Sequence, residues 1–250
     1  MMIDAALYIR TIEEIAMTAL PALHTVYYDG WVLRFAGGHT RRANSVNPLY
    51  PSTLALDEKI AYCAELYASQ GLPLIFKMTD AVLPPDLDAA LAQRGFVASP
   101  PTSVQVMSLE GFVVDDLPPV TIETRRSAQW LEAYARMNEV PPQRRDLLGQ
   151  MLDAIITPAF YASVEQDGEL AAVGLGVVAQ GYIGLFDIVT AAQRRNQGLG
   201  TRIVTSLLHR GQAAGAHHAY LQVVADNTPA VNLYHKIGFR EAYRYWYRNR

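Results

Sequence analysis

The segment AAQRRNQGLGTRIV, residues 191–204, has the residue types and the spacing of an anion-binding turn. Arginines and amides lead into Gly198-Leu199-Gly200, and an apolar pattern of helical spacing follows. The first N–H groups of a helix have no intrahelical acceptor and lie at the positive end of the helix dipole, so they bind phosphates. Glycine has no Cβ atom and lets the backbone approach such a phosphate closely. Three nearby guanidinium groups would add charge-assisted hydrogen bonds: Arg194, Arg195 and Arg202.

Three known phosphate-binding motifs resemble this turn. The residues present do not match two of them. A dinucleotide fingerprint requires a third glycine at position 203, where the chain has Ile203. A nucleotide P-loop requires Gly-Lys-Ser/Thr, which the segment lacks. The third pattern, Gln/Arg-x-x-Gly-x-Gly/Ala, matches residues 195–200 at every fixed position.

Strands and helices alternate around the turn. The run YIGLFDIVT predicts a strand before it, and the spacing of four apolar residues predicts a helix after it: Ile203, Val204, Leu207 and Leu208. Upstream, FYASVEQ and ELAAVGLGVVAQ are joined by Asp167-Gly168, a strong signal for a two-residue hairpin. Downstream, HHAYLQVVA predicts a buried strand and NTPAVNLYHKIGF a helix. This order predicts an α/β fold with a mixed sheet.

Residues 185–247 resemble the core of the GNAT N-acetyltransferase superfamily. The turn is similar to the family motif that cradles the pyrophosphate of acetyl-coenzyme A after the fourth strand. A second stretch, NTPAVNLYHKIGF, is similar to the family pattern Asn-x-x-Ala-x-x-Leu-Tyr-x-x-x-Gly-Phe and matches every fixed position. The resemblance implies a GNAT-like acyl-CoA N-acyltransferase fold. It also implies acetyl-CoA-dependent transfer of an acetyl group to a primary amine, by direct attack on the thioester and without a metal.

The resemblance also assigns cofactor contacts to this chain. The backbone of residues 188–190 would pair with the pantetheine arm and polarise the acetyl carbonyl. Residues 195–201 would hold the pyrophosphate, and Asn227 would either bridge the coenzyme arm or cap its helix. The predicted cofactor-binding residues are Ile188, Val189, Thr190, Arg195, Asn196, Gln197, Gly198, Leu199, Gly200, Thr201, Asn227 and Ala230.

Two residues are the predicted catalytic groups. Tyr234 would protonate the coenzyme A thiolate, because a phenol with a pKa of ~10 keeps its proton at neutral pH. The alternative for Tyr234 is a core aromatic beside an apolar helix face. Asp187, on the fourth strand, would take the amine proton, and it could equally be an ion-pair partner. The alternative to catalysis is a non-catalytic acyl-CoA-binding sensor or interaction module with the same fold.

The N-terminal half has a similar order of predicted elements. Gly71 aligns with Gly215 and Gly95 with Gly238 at nearly the same offset. We therefore predict a tandem duplication, with a degenerate GNAT-like domain at 1–116 and a catalytic domain at 117–250. The N-terminal counterpart of the turn, NPLYPSTLALDEK, has prolines and no paired glycines, so this half is not expected to bind coenzyme A. Its stretch GGHTRRANSV is either a reader of an acidic acceptor or a turn that leads into the strand RRANSVNPL, and we favour the turn.

The composition and net charge of the chain argue against several classes of protein. The 250 residues are 50% hydrophobic with a formal net charge of −3, so no basic field indicates nucleic acid or an anionic membrane. The one cysteine, Cys63, fits a reducing compartment, and the chain lacks a membrane-spanning run, a signal-peptide pattern and metal-ligand spacing. We expect a cytoplasmic protein whose partner is a small-molecule or peptide amine. The acceptor's identity, the acyl-chain preference and a homodimer are left open.

Overall fold

The structure is a computed structural model that describes residues 4–114 and 119–250. The chain divides into two units, Met1–Ser103 with Tyr243–Arg250, and Val104–Ala242. The boundary predicted between residues 116 and 117 lies outside the described residues. The elements follow in this order: α1 (Ala5–Ala19), β1 (His24–Tyr28), β2 (Trp31–Phe35), β3 (Val46–Pro48), α2 (Leu56–Ser69), β4 (Ile75–Met78), α3 (Leu87–Gln93), β5 (Val97–Ala98), β6 (Thr102–Ser108), β7 (Thr121–Glu123), α4 (Ala128–Met137), α5 (Pro142–Asp153), β8 (Ala159–Gln166), β9 (Glu169–Ala179), β10 (Tyr182–Thr190), α6 (Leu199–Ala213), β11 (His218–Val224), α7 (Thr228–Ile237) and β12 (Arg240–Asn249).

The second unit contains a sheet with the strand order β6-β11-β10-β9-β8-β7. Strands β7 to β10 pair antiparallel, and β10 pairs parallel with β11 through the crossover helix α6. The β8–β9 hairpin turns at Asp167 and Gly168, whose φ angles of 54° and 79° fit a tight hairpin turn. The mixed α/β sheet and this hairpin are therefore confirmed.

Helix α6 packs closely on strand β9. Its predicted apolar face is buried, with Ile203 and Leu207 both fully inaccessible to solvent. A Cβ atom on Gly174 would lie 2.5 Å from Cγ2 of Ile203, and one on Gly176 would lie 3.1 Å from Cδ2 of Leu207. The glycines of the strand AAVGLGVV therefore provide the space in which the crossover helix approaches the sheet.

The strands of the first unit follow the order β1-β2-β3-β4-β12, and β5 pairs with β12. Strands β1 to β3 pair antiparallel, β3 pairs parallel with β4 through α2, and β12 pairs antiparallel with β4. Beneath these strands, Lys77 forms a buried ion pair with Glu13, and the hydroxyl of Tyr243 donates to Glu13 at 2.8 Å. Residues from the C-terminal end of the chain thus complete the core of this unit.

Some elements of the first unit differ from expectation. Helix α1 and strand β1 were not predicted, although the buried residues Ile12, Ile15 and Ala16 of α1 have helical spacing. The predicted strand RRANSVNPL is wrong at its start, because residues 41–43 form a 3-10 helix and only β3 is extended. The side chain of Asn44 accepts hydrogen bonds from the N–H groups of Ala36 and Gly38, which confirms the preferred interpretation of GGHTRRANSV as a turn. Across residues 4–114 and 119–250, every helix is too short or too polar to cross a bilayer.

Candidate functional site

Strands β10 and β11 separate at the centre of the second unit. Their parallel pairs run from Tyr182–His218 to Leu185–Leu221 and end there, although β10 continues to Thr190. The backbone of the last residues of β10 therefore lacks a partner strand on the β11 side. Among the described residues, this is where a bound chain could add hydrogen bonds to a strand in the middle of the sheet.

A bulge in β10 begins where the two strands separate. Its register with β9 shifts between Phe186, which faces Leu175, and Val189, which faces Val173. Asp187 lies in this bulge with φ at 54°, a left-handed conformation in which aspartate is enriched. A bulge redirects side chains locally and leaves a residue out of the ladder. The sequence pattern predicted the strand but gave no signal for the bulge.

The turn after β10 leads into the N-terminus of α6. Gly198 is the N-cap residue and has φ at 75°, where a side chain would be strained. No side chain caps this end among the described residues, and the first turn contains no acidic residue. A Cβ atom on Gly200 would lie 3.9 Å from Oγ1 of Thr190, so the glycine turn lies directly beside the end of β10. The arrangement fits an anion at the end of the separated strands.

Two of the three predicted arginines have contacts with other parts of the protein within the described residues. Arg194 forms an ion pair with Asp167 of the β8–β9 hairpin. Arg202 donates from Nη2 to the carbonyl oxygen of Pro119 at 2.7 Å. Arg195 is exposed and has neither an ion pair nor a hydrogen bond from its side chain there. Arg194 and Arg202 therefore have partners within the protein, and their contact with a phosphate stays a prediction.

Tyr234 lies in a core cluster with other predicted site residues. The cluster also contains Leu199, at the start of α6, and Ile188 and Ala230 pack against it. The ring of Tyr234 makes an edge contact with Phe239 at 6.0 Å, and its hydroxyl has no hydrogen-bond partner among the described residues. Burial raises the pKa of Tyr234 to about 12. The phenol is therefore protonated throughout the neutral range.

Asn227 caps helix α7 in this structure. Its side-chain oxygen accepts a hydrogen bond from the N–H of Ala230 at 3.4 Å. Of the two roles predicted for Asn227, the structure therefore shows the cap.

One residue that contacts the bulge was not predicted from the sequence. The hydroxyl of Tyr134, on helix α4, donates to Oδ1 of Asp187 at 3.0 Å. The two residues are 53 positions apart in the chain. Helical periodicity places Tyr134 on a face of α4, but it carries no information about which strand that face meets.

Other reactive groups do not form a second centre among the described residues. No group of three or more His, Cys, Asp or Glu side chains there has the arrangement of a metal site. Cys63 is fully buried, and burial raises the pKa of its thiol to about 12. It is therefore a protonated, packed side chain at neutral pH and not a nucleophile.

Comparisons with known proteins agree with this geometry. The profile of a family described as "Probable histone acetyltransferase Rv0428c C-terminal" matches residues 7–248. A Bacillus subtilis (strain 168) protein described as "Uncharacterized N-acetyltransferase YobR" is 30% identical over 246 residues, covering 96% of this chain and 98% of the relative. The solved structure of a GCN5-related N-acetyltransferase from Kribbella flavida matches with a TM-score of 0.68 at 16% identity, covering 96% of this chain and 94% of that one. A tandem GNAT protein from the clavulanic acid biosynthesis pathway matches with a TM-score of 0.65 at 14% identity, covering 96% and 87% of the two chains.

The fold and the strand–turn–helix site define an N-acetyltransferase of the GNAT type. The chain belongs to the family described as probable histone acetyltransferase Rv0428c C-terminal, whose profile spans nearly all of it. The superfamily and the enzyme class inferred from the two sequence motifs are thereby confirmed.

Proposed function

We propose that this enzyme transfers an acetyl group from acetyl-CoA to a primary amine, and that residues 117–250 hold the donor. The observation that carries the proposal is the uncapped N-terminus of α6, which lies beside the separated ends of β10 and β11. A diphosphate fits the free N–H groups and the positive dipole of the helix start. An extended pantetheine arm fits the β11-facing side of the β10 end, where β10 continues beyond its last pair with β11.

In this proposal, backbone groups of the site bind the donor and a side chain takes up the proton. Acetyl-CoA supplies an activated acyl group on a thioester. The N–H groups around Ile188 to Thr190 would bind the arm and polarise the acyl oxygen. The glycine turn from Arg195 to Thr201 would hold the diphosphate. Asp187 would accept the proton that the attacking amine loses, directly or through water.

Tyr234 would return a proton to the departing thiolate. Its hydroxyl is protonated because burial holds its pKa near 12, and it has no hydrogen-bond partner to lose among the described residues. A free thiol has a pKa of about 8.5, so the thiolate is protonated at neutral pH once a donor reaches it. A positioned phenol supplies that proton without waiting for solvent.

We further infer that the chain is a tandem duplication whose N-terminal half does not hold coenzyme A. Each unit has antiparallel strands, then a helix that crosses over to a parallel strand, and an Asp-Gly hairpin turn with left-handed φ angles. In the first unit, the hairpin carboxylate of Asp29 accepts hydrogen bonds from the N–H groups of Leu54 and Thr53, each at 2.9 Å, just before α2. These hydrogen bonds hold the pKa of Asp29 well below its usual value, and the one from Leu54 has the largest effect. An internal carboxylate thus already accepts backbone hydrogen bonds from the segment NPLYPSTLALDEK, the N-terminal counterpart of the glycine turn.

A substitution at Gly200 tests the proposed donor site. A side chain there has room beside Thr190, and an aspartate in the first helical turn would stabilise the helix by roughly 0.3–1 kcal/mol. The Gly200→Asp variant should therefore keep its thermal stability, while its affinity for coenzyme A falls at least about tenfold below that of the isosteric Gly200→Asn control. Calorimetric titration with coenzyme A measures both affinities.

Two results would contradict the proposal in different ways. Equal coenzyme A affinity in the Gly200→Asp and Gly200→Asn variants would remove the diphosphate from the start of α6. Coenzyme A binding by the unaltered protein without thiol release from acetyl-CoA in the presence of amines would instead indicate a sensor. A panel of amino acids, polyamines, aminoglycosides and peptide N-termini, with thiol detection, makes that distinction.

A further inference from the structure

We propose that Tyr134 is a positioning residue for the transfer reaction, and that its hydroxyl fixes the orientation of the Asp187 carboxylate. The inference rests on the proposed function, in which Asp187 accepts the proton of the attacking amine. The contact that carries it is the hydrogen bond from the Tyr134 hydroxyl to Oδ1 of Asp187 at 3.0 Å.

Tyr134 is itself held by a rigid aromatic stack. Its ring lies parallel to that of Trp130, with centroids 5.6 Å apart and an interplanar angle of 6°. Trp130 is fully buried, and its indole N–H donates to the carbonyl oxygen of Ala162 on β8 at 3.0 Å. The edge of Tyr161 packs against the same indole at 5.2 Å. Because Trp130 is fixed by a buried hydrogen bond and by rings on two sides, the Tyr134 ring stacked on it has a defined position.

The backbone conformation of Asp187 constrains the other partner of this hydrogen bond. The bulge in β10 and the left-handed φ of Asp187 fix the direction in which its side chain leaves the strand. Both Asp187 and Tyr134 are half-buried, so solvent or a substrate reaches the pair. A carboxylate that only stabilised the fold would not need to remain accessible at the point where the strands separate.

The pair lies on the sheet face opposite to the proposed diphosphate site. Phe160 and Ala162 of β8 pack in the core cluster with α6, whereas Tyr161, between them, packs against Trp130 of α4. Alternate residues of a strand point to opposite faces, so α4 and α6 cover different faces of the sheet. The end of β10, where it no longer pairs with β11, lies between these faces. The donor would therefore approach from the α6 side, and the amine would lose its proton on the α4 side.

The test removes one oxygen atom and keeps the ring. In the Tyr134→Phe variant of the full chain, the stack on Trp130 is retained while the hydrogen bond to Asp187 is lost. We expect kcat for acetyl transfer to fall at least about tenfold, with the KM for acetyl-CoA and the affinity for coenzyme A within about twofold of the unaltered protein. Adding Tyr134→Phe to Asp187→Asn should lower kcat no further, because both changes interrupt the same contact.

A matched control comes from the same stack. The hydroxyl of Tyr161 donates its hydrogen bond to the carbonyl oxygen of Leu152, at 3.3 Å. Tyr161→Phe should therefore leave kcat within about twofold of the unaltered protein, whatever its effect on the unfolding temperature. An equal loss of kcat in both phenylalanine variants would show that the stack only maintains the fold, and would overturn the positioning role.

Other outcomes separate this inference from the proposed function. If the unaltered protein releases thiol with an amine and Tyr134→Phe does so at the same rate, the positioning role is wrong and the proposed function stands. The same holds if the losses from Tyr134→Phe and Asp187→Asn multiply in the double variant. If the unaltered protein binds coenzyme A and releases no thiol with any amine of the panel, both the proposed function and the positioning role fall.

Discussion

Three residues of the candidate site adopt left-handed backbone conformations: Asp187, Asn196 and Gly198, with φ angles of 54°, 61° and 75°. Aspartate, asparagine and glycine are the residue types that tolerate this conformation. Their identities are therefore constrained by the path of the backbone before any side-chain chemistry is considered. This explains why the turn could be recognised from sequence, since the residue types report the local geometry directly.

Replacing Tyr234 by phenylalanine tests the proposed proton donor. We expect kcat to fall by about 10²-fold, with coenzyme A affinity unchanged, because the hydroxyl acts only on the departing thiolate. The unfolding temperature should change little, since the hydroxyl has no hydrogen-bond partner among the described residues. Steady-state thiol release and calorimetry measure these quantities, with Tyr182→Phe, at the far end of β10, as the control. An unaltered kcat would make Tyr234 a packing residue only.

At the scale of elements, long-range contacts fix strands whose local sequence is ambiguous. Strand β12 is the last of the chain, yet it pairs with β4 in the first unit. Asp88, in the first turn of α3, accepts hydrogen bonds from the Trp246 indole at 2.7 Å and from Nη2 of Arg248 at 2.7 Å. Hydrogen bonds from Arg248 lower the pKa of this carboxylate. A contact between positions so far apart has no signature in the sequence of either element.

Replacing Asp88 by alanine should weaken the attachment of β12. The change leaves the indole N–H and the guanidinium without their acceptor, and we expect the free energy of unfolding to fall by about 1–2 kcal/mol, reduced by the partial exposure of the pair. Urea denaturation followed by tryptophan fluorescence measures the change. Asp86→Ala is the matched control, because this neighbouring carboxylate makes no cap hydrogen bond. Equal midpoints for both variants would show that the Asp88 contact adds no stability.

At the scale of the whole molecule, both units contain buried phenols with raised pKa values. Burial raises the pKa of Tyr161 and Tyr234 in the second unit to about 12, and partial burial together with Glu14 raises that of Tyr50 in the first unit to about 12. In the unfolded chain these groups titrate near 10. Above that pH the unfolded state releases protons that the folded state retains, so the free energy of unfolding decreases as pH rises.

The urea midpoint should therefore be constant from pH 7 to about pH 9 and should then fall steadily from pH 10 towards 12. The decline should be shallower in a Tyr161→Phe variant, which has one fewer buried phenol to ionise. Urea titrations at intervals of one pH unit, followed by circular dichroism, provide the measurement. A midpoint that stays level through pH 11 would mean that these phenols ionise equally in both states.

Local features of this protein are predictable from short stretches of its amino-acid sequence. The β8–β9 hairpin and the glycine turn before α6 depend on residues within about four positions of each other, and the structure contains both. The glycine turn and the motif NTPAVNLYHKIGF were together enough to identify the enzyme class. Local conformational preferences act within one turn of chain, so the residue types report them directly.

Features that depend on residues far apart in the chain were found only in the folded protein. It placed Tyr134 against Asp187, joined β12 to β4, and gave Arg194 an acidic partner in the β8–β9 hairpin. Each of these contacts is selected by how whole helix and sheet faces pack, because many weak contacts across those faces outweigh the preference of any single residue. The glycine turn was therefore predictable from the sequence, whereas the contact of Tyr134 with Asp187 was found only from the packing of α4 against β10.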